Sequence, residues 1–184
     1  MTSSNELHDK IQRMLQEGRE DEIYVKEILE SEGMTVTFAE EKEDMYSHID
    51  LWVEHNGNIK GIGIDVKGRK KDRQKDNKFN DSIHWIERQN VNGRKGWLYG
   101  SAKSIAFRTN DMVIFVPRKR LINLVESKTD LTSYVTDCPK GFYIQYKRAK
   151  WGRDDLSLKI PTKDLIDIAS SIYYINNKLF KHIR

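Results

Sequence analysis

The stretch Tyr46 to Arg69, YSHIDLWVEHNGNIKGIGIDVKGR, constrains the fold more than any other. Asn56-Gly57 lies between two alternating runs, and both residues accept the positive φ that a type I′ turn requires. A two-residue turn there sets His55 opposite Asn58 and carries a register back along both strands. Ile49 then faces Ile64 and Leu51 faces Ile62, with Val53 and Val66 on the same side. That side of the hairpin is apolar. On the other side Asp50 faces Gly63, Trp52 faces Gly61, and Asp65 and Lys67 continue the row, because facing and diagonal residues share a side of a sheet. A slip of one residue would mix the two sets. The expected register leaves Asp50 and Asp65 on a diagonal, with Cβ atoms roughly 5–8 Å apart.

Two carboxylates and an ammonium are an unusual way to finish a solvent-facing sheet. Paired acids at that separation can share a hard divalent cation through oxygen. A lysine beside them can orient a water or neutralise charge on a phosphate. The bland alternative is a solvated face with one cross-strand ion pair. Asp-x-Lys at a strand end, a second Asp on its side, and glycines that admit a close backbone approach point instead to a site.

Asp50, followed fifteen positions later by Asp65-Val66-Lys67, resembles the PD-(D/E)xK nuclease superfamily. The nearest flavour is that of the Holliday-junction resolvases and related phage or restriction-type endonucleases. Ile49 stands where a proline often precedes the first acid. The resemblance implies an α/β (α+β) fold, restriction-endonuclease-like, with a central mixed β-sheet flanked by helices. It implies Mg²⁺, with Mn²⁺ able to substitute, held by Asp50, Asp65 and the Val66 carbonyl, and Lys67 as a catalytic partner. It also implies hydrolysis of DNA, branched or otherwise structured, in the cytoplasm of a bacterial or phage-infected cell. Relatives of the resolvase kind pair as homodimers to cut two strands. Their first core helix carries a glutamate between two glycines, a layout that Gly18, Glu22 and Gly33 match; Glu22 is therefore the candidate to reach the metal, with Glu27 and Glu30 behind it. A polar residue after the Asp-x-Lys often fixes the lysine or a metal water. Glu87 is the candidate for that role and Gln89 the second. Gly96-Trp97-Leu98 resembles a stretch in phage-type members and carries no chemistry.

Charge supports a polyanionic partner. Residues 1–60 hold fifteen Asp/Glu and six Lys/Arg, while the whole chain is +4, so the remainder is strongly basic. Between Gly68 and Lys78 six basic residues meet two acids and no aliphatic side chain, which predicts an exposed loop directly beyond the Asp-x-Lys strand. Arg69, Lys70, Lys71, Arg73 and Lys75 are its candidate phosphate contacts. Lys147, Arg148 and Lys150, interleaved with Tyr143 and Trp151, form a second candidate surface. In each case a solvated charged surface is the plainer reading.

At 184 residues the chain suits one domain, with a nuclease-like core over about 19–125 and a C-terminal hairpin and helices, 140–184, as an extension. No apolar run approaches the ~18–20 residues of a membrane span. The first residues, MTSSNELHDK, lack the pattern of a signal peptide. A lone cysteine, Cys138, excludes an internal disulfide and a cysteine-rich zinc site, and favours the cytoplasm. His84 and His48 have no partners at metal-ligand spacing, although His48 lies two residues before Asp50.

Along the chain, Ser3 and Glu6 suggest a capping box before the helical spacing of Leu7, Ile11, Met14 and Leu15. A helix over Asp21–Glu32 follows, with Gly18 either separating two helices or lying inside one. Met34–Ala39 predicts a strand, Glu40–Asp44 a solvated loop, and Ser82–Asn90 a strand with Glu87 and Gln89 on one face and Arg88 on the other. A buried strand over Met112–Val116 leads through Pro117 into a helix. Phe142–Ala149 and Leu156–Ile160 read as a hairpin, Thr162 as the cap of a last helix, and the apolar final residues as a segment that docks on the domain or a second subunit. The segment Asn92–Phe107 lacks a nucleotide P-loop pattern. The combined expectation is a Mg²⁺-dependent DNA endonuclease. The alternatives are a catalytically silent nucleic-acid-binding or assembly protein on the same fold, or an RNA-processing or RNA-binding protein.

Overall fold

Helical spacing at the start of the chain gives way to alternation after Gly33, and the backbone follows that change. The computed structural model describes residues 4–54, 61–69, 79–147, 153–176 and 179–183, with backbone alone for 4–11, 14, 176 and 179–183. The Ser3 capping box and the apolar set Leu7, Ile11 and Met14 therefore lie outside the described side chains.

One helix, α1 (Ser4–Ser31), runs straight through Gly18. It stops at Gly33, whose φ of +82° turns the chain while the Met34 N–H donates back to the Leu29 carbonyl at 3.2 Å. Strand β1 (Thr35–Phe38) pairs antiparallel with β2 (Leu51–Glu54), and β2 pairs antiparallel with β3 (Ile62–Lys67). Strand β4 (Ile83–Gln89) leaves this sheet. After a 3₁₀ turn (Trp97–Tyr99), β5 (Ser104–Arg108) returns parallel to β3, and β6 (Met112–Pro117) pairs back on β5. Helix α3 (Arg118–Lys128) follows directly, α2 (Glu41–Ser47) having filled the β1–β2 connection. The short β7 (Tyr146–Lys147) and β8 (Leu156–Pro161) join β4 in a three-stranded sheet, order β4-β8-β7. Helix α4 (Thr162–Asp167), β9 (Ser171–Asn176) and β10 (Leu179–Ile183) complete the chain. The larger sheet has the order β1-β2-β3-β5-β6-β9-β10 and is mixed, so the fold is α+β with a mixed sheet flanked by helices.

Two cores lie on either side of that sheet. Val25, Ile28 and Leu29 of α1 pack on Leu51, Val53, Ile64, Val66 and Ala106. On the opposite face Ile105, Phe107, Ile114 and Val116 meet Ile86, Leu158 and Ile160 of the smaller sheet, with Trp97, Leu98, Leu121 and Leu165. The apolar C-terminal segment docks on the domain itself: β9 pairs with β6 and β10 with β9. Among the described residues, no helix is long and apolar enough to cross a membrane.

Four expectations change. The observed register pairs Leu51 with Ile64, Trp52 with Gly63 and Val53 with Ile62, two residues from the expected one. A two-residue slip keeps every side chain on its face, so alternation alone cannot distinguish the two registers. Asn56-Gly57 lies outside the described residues. Glu40–Asp44 is no loop but the start of α2, because the Glu40 carboxylate and the Glu43 side chain cap each other's backbone N–H groups reciprocally. Of residues 142–147, the described part of Phe142–Ala149, only Tyr146–Lys147 is strand; Tyr143 takes φ +59°, which ends extended pairing there. Thr162 does not cap α4. Its hydroxyl donates to the Asp81 carbonyl at 2.5 Å or closer, and Pro161 occupies the cap position.

Candidate functional site

The β2–β3 pair is where the acids meet. Continuing the observed register by one step sets Asp50 opposite Asp65, nearer than the expected diagonal. The Asp50 N–H donates to the Ile64 carbonyl at 2.9 Å, and its Oδ2 accepts the Val66 N–H at 2.5 Å. A side chain thus takes a backbone donor at the mouth of the two strands.

Asp65 is fully buried, 0% exposed. Its Oδ2 accepts from Nη2 of Arg118 at 3.0 Å. The Lys67 ammonium lies 2.5 Å from Oδ1. That approach is an ion pair without hydrogen-bond alignment, so Oδ1 remains a buried acceptor with no hydrogen-bond donor. Lys67 in turn lies 4.8 Å from the centroid of the Trp97 ring, which fixes the ammonium from the other side.

Electrostatics ties further groups to this point. Burial pushes the Asp50 carboxyl up to about 7; Lys67 opposes the rise, Asp65 adds to it, the Val66 N–H opposes it and Glu22 adds to it. Glu22 is itself raised, by burial first, against the pull of Arg19, whose guanidinium donates to it at 2.8 Å. Glu87 is raised by burial while it accepts the Trp97 N–H and feels Lys67. His48, in the left-handed region with φ 51°, is lowered by burial against the charge of Asp65. The Lys67 charge thus acts on Glu22, Asp50, Glu87 and His48, and the Asp65 charge on Asp50 and His48.

The basic candidates are placed differently. Arg69 is committed: its N–H donates to Asp21 Oδ2 at 3.3 Å, its guanidinium donates to Asn110 at 3.2 Å and covers the Phe79 ring at 4.4 Å. Asp21 also pairs with Arg108, and a Cβ at Gly68 would fall 2.0 Å from its Oδ2, so Gly68 and Arg69 are clamped to α1. Lys70, Lys71, Arg73 and Lys75 lie outside the described residues, as do Arg148 and Lys150. Lys147 pairs with Asp154 at 2.5 Å.

Arg118 escaped the sequence reading. It is 5% exposed and, besides Asp65, donates to the carbonyls of Ala102 at 2.6 Å and Leu98 at 3.0 Å, and to that of Trp97. One signal was available: an arginine in the first turn of a helix opposes the macrodipole, so something else must hold it there.

Among the described residues, no three His, Cys, Asp or Glu side chains are grouped to hold a metal ion. The donor chemistry present is two facing carboxylates, one whose Oδ1 meets an ammonium without an aligned hydrogen bond and one held up in pKa by burial and acidic neighbours. That set fits Mg²⁺, which is commonly held by one or two carboxylates with water and substrate phosphate completing its shell. No protein-family model matches the chain, and neither a curated protein nor a solved structure matches it.

Proposed function

We propose that the chain is a metal-dependent endonuclease that hydrolyses DNA phosphodiester bonds, a restriction-endonuclease-like member of the PD-(D/E)xK kind, acting in the cytoplasm. The observation that carries the reading is the convergence of Asp50, Asp65 and Lys67, with the buried Asp65 Oδ1 turned to the Lys67 ammonium. Asp50, Asp65 and the Val66 carbonyl would hold a Mg²⁺ or Mn²⁺, with Glu22 next in reach. When bound, the cation supplies positive charge to the phosphate and lowers the pKa of a water.

The chain's own groups do the rest. Lys67, steadied by the Trp97 ring, orients the attacking water in line with the 3′-oxygen that leaves; the water's P–O bond forms as the P–O3′ bond breaks. Arg118 holds Asp65 Oδ2 from behind, so the carboxylate presents Oδ1 forward. Glu87 feels the Lys67 charge and would help hold the ammonium in place.

The test is cleavage of supercoiled, branched and single-stranded DNA, with RNA in competition, in Mg²⁺ and Mn²⁺. Lys67→Met and Asp50→Asn should each abolish nicking and keep the wild-type circular dichroism. Undiminished cutting by both would refute the reading. A second reading has its own support: Asp65 already faces two fixed cations, as it would in a silent nucleic-acid-binding protein. Binding without metal-dependent cutting would select it.

A further inference from the structure

We propose that the open cleft lined by Arg88, Gln89, Arg94, Lys95, Tyr99 and Glu126 binds the phosphodiester backbone of one nucleic-acid strand. The inference rests on the phosphodiesterase reading in taking the polymer to be the pocket's substrate.

A β-bulge builds the cleft. Glu87 pairs with Ser157 and Gln89 with Leu156, so Arg88 is an extra residue in β4. Consecutive strand residues ordinarily point to opposite faces. Here Arg88 and Gln89 line the same cleft, which corrects the expected alternation. The turn that follows is fixed by hydrogen bonds. Asn90 Oδ1 accepts the N–H groups of Asn92 and Arg94, each at 3.0 Å, and the Asn90 N–H donates to the Arg94 carbonyl at 2.8 Å. The Gly96 N–H donates to the Arg88 carbonyl at 2.8 Å, and a Cβ there would fall 2.5 Å from the Glu87 carbonyl oxygen. Arg94 and Lys95 are thus exposed cations on a rigid support.

Charge and size fit one strand. Arg94 and Lys95 are the cleft's exposed cations; the Arg88 guanidinium, part-buried, donates to Gln145 Oε1 and to the Leu131 carbonyl and adds its charge from behind, while the single carboxylate, Glu126, is engaged by the Tyr99 hydroxyl at 3.0 Å. Lys95 stands 5.6 Å from the centroid of the Tyr99 ring. The cleft's volume of about 330 Å³ is at the small end of ligand sites, room for one nucleotide unit and not for a duplex. The cleft and the acid site share two chain segments. Gln89 is two residues from Glu87, roughly 7 Å along a strand, and Lys95 is two residues from Trp97, whose ring carries Lys67.

The test is binding of a fluorescent single-stranded oligonucleotide to the full chain in EDTA across a salt series. Arg94→Glu with Lys95→Glu should weaken binding about tenfold or more and lower the log–log salt slope by about 1.4, the contribution of two single-strand phosphates. Lys119→Glu with Lys163→Glu, the same charge change on exposed residues outside the cleft, should leave the slope unchanged. Glu126→Gln should tighten binding about twofold, a gain that misfolding cannot produce. No binding by the wild-type chain, or an equal loss from both charge-reversed pairs, overturns the cleft. A chain that cuts nothing yet binds through the cleft keeps this inference and loses the endonuclease. One that cuts DNA with affinity unchanged by the cleft substitutions does the reverse.

Discussion

Asp65 lies wholly buried between the Arg118 guanidinium and the Lys67 ammonium, whereas Asp50, one strand away, has a single backbone N–H, a share of the Lys67 charge and two acidic neighbours. The chain has supplied Asp65 with fixed positive charge and left Asp50 short of it. The difference locates the missing charge: a cation entering the pocket gains most against Asp50, and Asp65 is the part of the site already assembled. Each acid should therefore respond to substitution with the opposite sign.

The largest effect is expected at Asp65. Asp65→Ala leaves the buried Arg118 guanidinium with backbone carbonyls but, among the described residues, no acidic partner, a change that typically costs about 3–5 kcal/mol. Urea unfolding measures it. A loss below about 1 kcal/mol, as for an exposed pair, would mean that Arg118 does not depend on Asp65.

Asp50→Asn should instead stabilise the metal-free protein at alkaline pH. The folded carboxyl titrates at about 7 against an ordinary 3.8, so the folded state holds a proton that the unfolded state has released across that window. Stability is therefore fully present below the unfolded value and is lost as pH rises through about 7. Each unit of raised pKa costs about 1.4 kcal/mol, and Asn carries none of that slope. The stability difference between variant and wild type should grow from pH 4 to pH 8; a constant difference would remove Asp50 from its buried acidic setting.

Divalent cation should close the gap between the two acids. At pH 8, Mg²⁺ or Mn²⁺ at one hundred times its dissociation constant should add about 2.7 kcal/mol to the wild type, read as a raised Tm. Asp50→Asn should gain much less. Equal gains in both proteins would place the ion elsewhere.

The sequence carried this comparison only in part. Alternation in β2 and β3 was enough to put Asp50, Asp65 and Lys67 on one side, because that outcome survives a slip of two residues. It could not decide which acid faces which, and so it left them on a diagonal. Arg118 is 53 positions from Asp65 and reaches it from a different helix, a contact no local period encodes. Glu87 was named from its place after the Asp-x-Lys, yet it arrives on a separate sheet, brought to Lys67 by the 3₁₀ turn whose Trp97 N–H it accepts. Capping by Glu40 and Glu43 was hidden for a related reason: a run of acids looks solvated until two of them turn back on the backbone.

The smallest effect should come from Glu22, the third acid in reach. It contributes least among the groups that set the Asp50 carboxyl, and its own partner, Arg19, is half exposed on the same helix. Glu22→Gln removes a helix pair worth about 0.2–0.5 kcal/mol, while Arg19 keeps its place over the Phe38 ring at 3.5 Å. Global stability should barely change. The pH slope assigned to Asp50 should nonetheless move to slightly lower pH, because one negative neighbour has gone and the ionised carboxylate is less disfavoured. Carbon-13 NMR of the aspartate carboxyls would follow the titration directly. A midpoint that stays fixed or moves upward would detach Glu22 from the pocket and leave Asp50 governed by burial, Lys67, Asp65 and the Val66 N–H.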